Sequence, residues 1–161
     1  MSEARTESVA LLGLGNMGAP IATNLVSAGW DPILWNRSAG RLAPFVEQGV
    51  RTAPTPAAAA READILLTVL TDLPDVEQLL AGPDGALVGW AEREGARPLL
   101  VVMGTVSAVA LRELADRLAV HGVAVVDAPL SGGVAGAQQA RLSIMVGGDA
   151  ADVERVKPVF A

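Results

Sequence analysis

The feature that most constrains this chain is a set of three glycines directly after its first apolar segment. Residues 9–12 form a short apolar run typical of a buried parallel strand, and Gly13, Gly15 and Gly18 follow before a helical pattern begins. At such a turn the first glycine allows a sharp bend, the second lets the backbone approach a pyrophosphate, and the third lets the helix pack closely on the strand. The N–H groups at the helix start can then hold phosphates. We predict a dinucleotide site here, with a purely structural glycine turn as the alternative; the candidate residues are Gly13, Leu14, Gly15, Asn16, Met17 and Gly18.

Apolar runs and helical patterns alternate along the rest of the chain. The runs have the length and the Val, Ile and Leu content of buried strands, and they are 9–12, 32–35, 64–70, 99–103 and 123–126. Shorter strands are predicted at 50–52 and 142–146. We expect an α/β fold with a doubly wound, mainly parallel Rossmann sheet and helices on both faces. Residues 1–161 are predicted to form one NAD(P)-binding domain.

Composition argues against several classes of protein. The chain has a net charge of −6 and no basic cluster, which argues against nucleic acid as a partner. No apolar run approaches the ~20 residues of a membrane span, and the charged start of the chain is unlike a signal peptide. Cysteine is absent, which excludes disulfides, thiol nucleophiles and zinc–thiolate sites. We expect a cytoplasmic protein that binds no membrane, no nucleic acid and no metal ion.

The end of the second predicted strand bears on the choice of cofactor. NAD sites usually place Asp or Glu there, about 20 residues after the glycines, to bind the ribose 2′-OH. This chain has Asn36, Arg37 and Ser38 instead. A guanidinium matches the geometry of a phosphate, and a hydroxyl and an amide can complete the cradle. We predict NADP(H), with NAD as the second choice; Arg37 as a solvated loop arginine is the alternative interpretation.

A second candidate turn follows the last of the five long strands. Ser131, Gly132 and Gly133 combine a hydroxyl with two glycines, and such small donors at a helix start suit a carboxylate. An ordinary tight turn has the same pattern. The only histidine, His121, ends a predicted helix, and the only lysine, Lys157, lies in the last helix. Hydride transfer to a carbonyl needs a proton donor, and because neither residue is suitably placed we assign no catalytic residue within this chain.

Several segments, taken together, are similar to one family. In chain order they are LGLGNMG at 12–18, WNRS at 35–38, LPD at 73–75, MGTVS at 103–107, DAPLSGG at 127–133 and SIMVGG at 143–148. In this order they resemble the N-terminal half of the β-hydroxyacid dehydrogenases, which include 3-hydroxyisobutyrate dehydrogenase and, more distantly, 6-phosphogluconate dehydrogenase. The resemblance implies hydride transfer between nicotinamide and a small β-hydroxy acid or its semialdehyde.

The resemblance also implies a role for each candidate residue. Ser131, Gly132 and Gly133 would hold the carboxylate of the substrate. The cofactor would lie with its pyrophosphate along Gly15, Asn16 and Met17, its adenosine ribose at Asn36, Arg37 and Ser38, and its nicotinamide toward Leu70, Thr71 and Thr105.

The resemblance further implies that the catalytic lysine lies in a helical C-terminal domain that this chain does not contain. That domain would also form a homodimer or larger assembly, so the chain alone is expected to be inactive. One departure from the family is Ala140-Arg141-Leu142, where Gly-Thr usually precedes the leucine. An imine reductase of similar fold and a non-catalytic NADP-binding module are the alternatives. A methyltransferase would need an acidic end to the second strand, and Arg37 argues against it.

Overall fold

A computed structural model describes residues 7–161, and five parallel strands form its central sheet. In chain order they are β1 (Val9–Leu12), β2 (Ile33–Trp35), β3 (Ile65–Thr68), β4 (Leu99–Val102) and β5 (Ala124–Asp127). Their order across the sheet is β2-β1-β3-β4-β5. Every residue of β1, β3 and β4 is buried, as expected for strands covered on both faces.

The predicted strand at 50–52 is reduced to a single bridge, in which Thr52 pairs in parallel with Leu34. The Arg51 carbonyl accepts a hydrogen bond from the Leu34 N–H at 2.9 Å, and the Ala53 N–H donates to the Leu34 carbonyl at 2.9 Å. Pro54 comes next, and because proline has no N–H it cannot extend a ladder. With this bridge counted as a strand, the strand order becomes the one typical of dinucleotide-binding sheets.

Eight α-helices connect the strands within residues 7–161. They are α1 (Gly18–Ser27), α2 (Ala43–Glu47), α3 (Pro56–Glu62), α4 (Leu73–Leu80), α5 (Ala86–Ala91), α6 (Ala108–Ala119), α7 (Gly133–Gln138) and α8 (Ala150–Phe160). A 3-10 turn, Ala39–Leu42, precedes α2. Helices α3 to α6 pack on one face of the sheet, and α1, α2, α7 and α8 pack on the other. The predicted doubly wound fold is therefore confirmed.

A small antiparallel pair lies outside the main sheet. It consists of β6 (Leu130–Ser131) and β7 (Ser143–Ile144), so the predicted strand at 142–146 is shorter than expected. Ala140, just before it, has a positive φ of 52°, a conformation that non-glycine residues rarely adopt. Gly147, just after it, pairs instead with the end of β5. No helix within residues 7–161 has the length and apolarity needed to cross a membrane.

A buried polar cluster closes the edge of the sheet where the strands begin. The Asp64 carboxylate accepts hydrogen bonds from the Ser8 N–H at 2.7 Å and the Ser8 hydroxyl at 2.8 Å, and it pairs with Arg93. Burial acts to raise the pKa of Asp64, but the bonds from Ser8 and the Arg93 guanidinium outweigh it and lower that pKa. The ionised carboxylate therefore joins the first strand to the third.

Candidate cofactor site

The glycine turn after β1 is held by close backbone packing at two of its three glycines. Gly13 has a φ of +106°, and a Cβ there would lie 2.9 Å from Leu70 Cδ2 and 3.1 Å from the carbonyl carbon of Val69. A Cβ at Gly18 would overlap the Gly13 carbonyl, lying 2.8 Å from its carbon. A Cβ at Gly15 would meet no atom within 4 Å. Gly13 and Gly18 are therefore required by the fold, whereas Gly15 faces open space.

Four successive backbone donors are available at the start of α1. Within residues 7–161, the N–H groups of Gly15, Asn16, Met17 and Gly18 have no hydrogen-bond partner, and no side chain caps the helix. Unpaired N–H groups at the positive end of a ten-residue helix form a natural binding site for an anion. The turn therefore fits the diphosphate of a dinucleotide.

Asn36, at the end of β2, fixes this turn from the side. Its Oδ1 accepts a hydrogen bond from the Leu14 N–H at 2.8 Å, and its Nδ2 donates to the Ser38 carbonyl at 3.0 Å. Arg41 Nη1 donates to the Leu14 carbonyl at 3.1 Å, so both polar groups of Leu14 are bonded to side chains from the β2 end. The structure shows Asn36 as a support for the glycine turn, and its contact to the ribose stays a prediction.

A crevice of about 580 Å³ opens beside the turn at the carboxyl ends of β1, β2 and β3. This volume is within the range of small-molecule sites. Seven of the predicted residues line it, namely Gly13, Gly15, Asn36, Arg37, Ser38, Leu70 and Thr71. The chain leaves β1 toward β2 on one side and returns as β3 on the other, which is the switch point where open parallel sheets bind ligands.

The crevice is basic at the end of β2. Arg37 and Arg41 both line it and both are exposed. Within the described part of the chain, the Arg37 side chain has no hydrogen bond or ion pair, whereas Arg51 and Arg155, for example, are paired with carboxylates. Arg41 was not among the residues predicted from the sequence. Its four-residue spacing from Arg37 was a signal, but only the 3-10 turn between them returns it to the crevice.

The remaining predicted residues lie outside the lining of this crevice. Thr105 is exposed in the loop between β4 and α6. Ser131 ends β6, Gly132 has a φ of +131°, and Gly133 begins α7 with a φ of +63°; all three are exposed. The predicted strand-to-helix turn at these residues is present, and it forms a separate feature from the glycine turn. No group of three or more His, Cys, Asp or Glu that could hold a metal ion occurs in residues 7–161.

Three other ionisable residues are not part of the crevice. Asp127, at the end of β5, pairs with Gly147 through two backbone hydrogen bonds of 2.8 Å, and burial raises the pKa of its carboxyl. His121 is exposed after α6, next to the start of β5 and thus at the opposite edge of the sheet. Lys157 is paired with Glu154 on the same helix.

Comparison with known proteins relates this geometry to a family. The sequence profile of the NAD-binding domain of 6-phosphogluconate dehydrogenase matches residues 8–161. An uncharacterized oxidoreductase of Synechocystis sp. is 40% identical over 94% of this chain and 52% of its own length. The 3-hydroxyisobutyrate dehydrogenase of Pseudomonas aeruginosa is 36% identical over 94% of this chain and 50% of its own.

A solved structure agrees with these sequence matches. The 3-hydroxyisobutyrate dehydrogenase of Mycobacterium tuberculosis, described with L-serine, superimposes with a TM-score of 0.80 at 32% identity, over 96% of this chain and 50% of that protein. The chain thus spans about half the length of the curated relatives that it matches. It belongs to the family of the NAD-binding domain of 6-phosphogluconate dehydrogenase. It is thus an NAD(P)-binding domain of the β-hydroxyacid dehydrogenase family, as the sequence resemblance implied.

Proposed function

We propose that this chain prefers NADP(H) and serves an enzyme that transfers a hydride between the nicotinamide and a small β-hydroxy acid or its semialdehyde. The observation that carries the cofactor preference is the guanidinium of Arg37 at the β2 end of the crevice, which has no partner among residues 7–161. Three residues of this strand end, Asn36, Arg37 and Ser38, include no carboxylate that would bind a ribose 2′-OH.

The basic end of the crevice is better suited to bind the 2′-phosphate of NADP than the ribose 2′-OH of NAD. A guanidinium offers several donors in a planar fork that matches a phosphate, and Arg41 adds a second positive charge nearby. Ser38 adds a hydroxyl that can donate to the same group. In an NAD complex these groups would face a neutral ribose, and their charge would contribute little to affinity.

The proposed reaction uses residues at both turns. When bound, the dinucleotide would accept the hydride from the alcohol carbon or donate it to the carbonyl carbon, according to the direction of the reaction. The glycine turn holds its diphosphate through backbone N–H groups, and Leu70, Thr71 and Thr105 lie toward the nicotinamide. Ser131, Gly132 and Gly133 hold the substrate carboxylate, in agreement with the exposure of that turn and with the acids named for the relatives. The carboxylate and the nicotinamide would together orient the carbon that exchanges hydride.

The proton donor of this reaction is proposed to come from outside the chain. Of the two candidates in residues 7–161, Lys157 is paired with Glu154 and His121 lies at the opposite edge of the sheet. A lysine in a helical domain, as the family resemblance implies, would act as general acid and base. The assembly of that domain into a dimer and the cytoplasmic location stay predictions.

The cofactor preference is tested by titrating NADPH and NADH into wild type and Arg37→Ala. Trp35 lines the crevice, so its fluorescence reports binding. Each hydrogen bond to a charged group contributes about 1.5–3 kcal/mol. Arg37→Ala should therefore weaken NADPH binding about 10- to 150-fold for each such bond that is lost, and leave NADH binding nearly unchanged. Arg112, exposed on α6 and without a partner in the described structure, provides a matched control, Arg112→Ala. Equal losses for both dinucleotides in Arg37→Ala would contradict the phosphate role.

The reaction class is tested with the full-length protein. Reduction of NADP⁺ should be observed with small β-hydroxy acids such as 3-hydroxyisobutyrate or L-serine. Turnover of cyclic imines in place of hydroxy acids would favour an imine reductase. NADPH binding without turnover of either class would favour a non-catalytic module.

A further inference from the structure

The crevice has a second polar wall, on the side opposite to β2. Asp75 and Gln78 lie three residues apart on α4, and therefore on one face of that helix. Asp84, in the loop before α5, completes this wall. Helix α4 follows β3, which flanks β1 on the side away from β2. The crevice is therefore polarised, with guanidinium groups at one side and carboxylates with an amide at the other.

The side chains of this wall are available to a ligand. Within residues 7–161, those of Asp75, Gln78 and Asp84 have no hydrogen bond or ion pair. By contrast, Glu77 on the neighbouring face of α4 is paired with Arg117. Hydrogen bonds made by the backbone hold two of these residues in place. The Asp75 N–H donates to Asp72 Oδ1 at 3.2 Å, and the Asp84 carbonyl accepts from the Ala57 N–H at 2.9 Å.

Apolar groups accompany these polar ones. Pro56, Leu79 and Ala81 also line the crevice. A flat aromatic ring needs such surfaces against its faces, whereas its edge needs hydrogen-bonding groups. This wall therefore suits a nucleobase whose edge presents donors, because carboxylates accept hydrogen bonds and repel a carbonyl oxygen.

We infer that Gln78 reads the amino edge of the adenine base, and that Asp75 and Asp84 bias this wall against a base with a carbonyl at the same position. A glutamine amide can accept from the adenine N6 amino group while it donates to N7. The inference rests on NAD(P) binding in the crevice and not on the choice between NADP and NAD. It makes Gln78 a specificity-determining residue for the cofactor.

The test compares NADPH with its reduced hypoxanthine analogue, in which a carbonyl replaces the 6-amino group. Dissociation constants are measured by Trp fluorescence. Wild type should bind the analogue about tenfold more weakly, at the low end for loss of a bidentate base contact. Gln78→Ala should reduce this ratio, because only the bias from Asp75 and Asp84 then remains. Gln138→Ala, the same change at an exposed helical position outside the crevice, should retain the wild-type ratio.

Each outcome has a distinct meaning. Equal affinity of wild type for the two dinucleotides, or a tenfold ratio that persists in Gln78→Ala, would overturn the base-reading role while leaving the cofactor site intact. Failure of both dinucleotides to bind wild type would overturn the crevice assignment and this inference together. Circular dichroism of each variant shows whether it is folded. Gln78→Ala should fold as wild type does, because Gln78 is exposed and alanine favours helix.

Discussion

Substitution of Gly15 by alanine separates the role of the glycine turn in binding from its role in folding. A Cβ at Gly15 would meet no protein atom within 4 Å, and its φ lies outside the positive range that disfavours L-residues. The variant should therefore fold as stably as wild type, or be up to about 1 kcal/mol more stable because alanine restricts the unfolded chain. The added methyl group points to the space where the diphosphate is predicted to approach the backbone.

The binding loss can be sized from the hydrogen bonds at stake. Displacing the diphosphate from one N–H donor should cost about 1.5–3 kcal/mol, which is about a 10- to 150-fold weaker dissociation constant. Because the diphosphate is common to both dinucleotides, NADPH and NADH should lose affinity by the same factor. This uniform loss distinguishes Gly15→Ala from Arg37→Ala.

Gly18→Ala provides the opposite case. Its Cβ would overlap the Gly13 carbonyl, so the helix or the turn must shift. Such overpacking costs about 1–3 kcal/mol, which lowers the Tm by roughly 2–12 °C for a chain of this size. Thermal unfolding without cofactor and fluorescence titration with NADPH measure the two properties. Wild-type NADPH affinity in Gly15→Ala, or a Tm loss in Gly15→Ala as large as in Gly18→Ala, would refute the reasoning.

Three further predictions follow from the polar contacts. Asp64→Asn leaves the largely buried charge of the Arg93 guanidinium without a carboxylate, and the free energy of unfolding at pH 7 should fall by about 3 kcal/mol. Because the pKa of Asp64 is lowered in the folded state, its carboxylate stabilises the fold above the ordinary aspartate pKa, and this stabilisation is lost as the pH falls through the lowered pKa. The difference in free energy of unfolding between wild type and Asp64→Asn should therefore shrink as the pH is lowered, and a difference that does not change with pH would contradict this. Asp127→Asn should raise the Tm at pH 7 but not at pH 3, because burial raises the pKa of Asp127 and its ionisation opposes folding; an unchanged Tm at pH 7 would contradict this. Asn36→Ala frees the Leu14 N–H and should weaken NADPH and NADH alike in fluorescence titration, and a loss confined to NADPH would contradict the supporting role.

The fold was largely predictable because its strands are mostly apolar. The predicted strand at 99–103 is β4, Leu99–Val102, and the predicted helix after the glycines is α1. Burial on both faces leaves a continuous apolar run that local pattern alone can locate. The predicted strand at 50–52 is only a single bridge in the structure. Pairing at the edge of a sheet depends on the neighbouring strand and on Pro54, and the apolar pattern of the segment contains neither.

The candidate site could be predicted from the sequence where a local motif marks its residues, and not where tertiary contacts bring residues together. Gly13, Gly15 and Gly18 are recognisable by spacing, and Arg37 by its place at a strand end. The bond from Leu14 to Asn36 depends on the registry of β1 against β2. Gln78 reaches the crevice only through the packing of α4, and nothing in its sequence neighbourhood indicates this.

We propose above all that the crevice beside β1 holds the diphosphate on the backbone N–H groups at the start of α1, and the 2′-phosphate of the adenosine beside Arg37. A crystal structure of the protein with NADPH tests it most directly. We expect diphosphate oxygens within hydrogen-bond distance of the N–H groups of residues 15–18, and the 2′-phosphate in contact with the Arg37 guanidinium. A diphosphate bound elsewhere, or an adenosine ribose turned away from Arg37, would contradict the account.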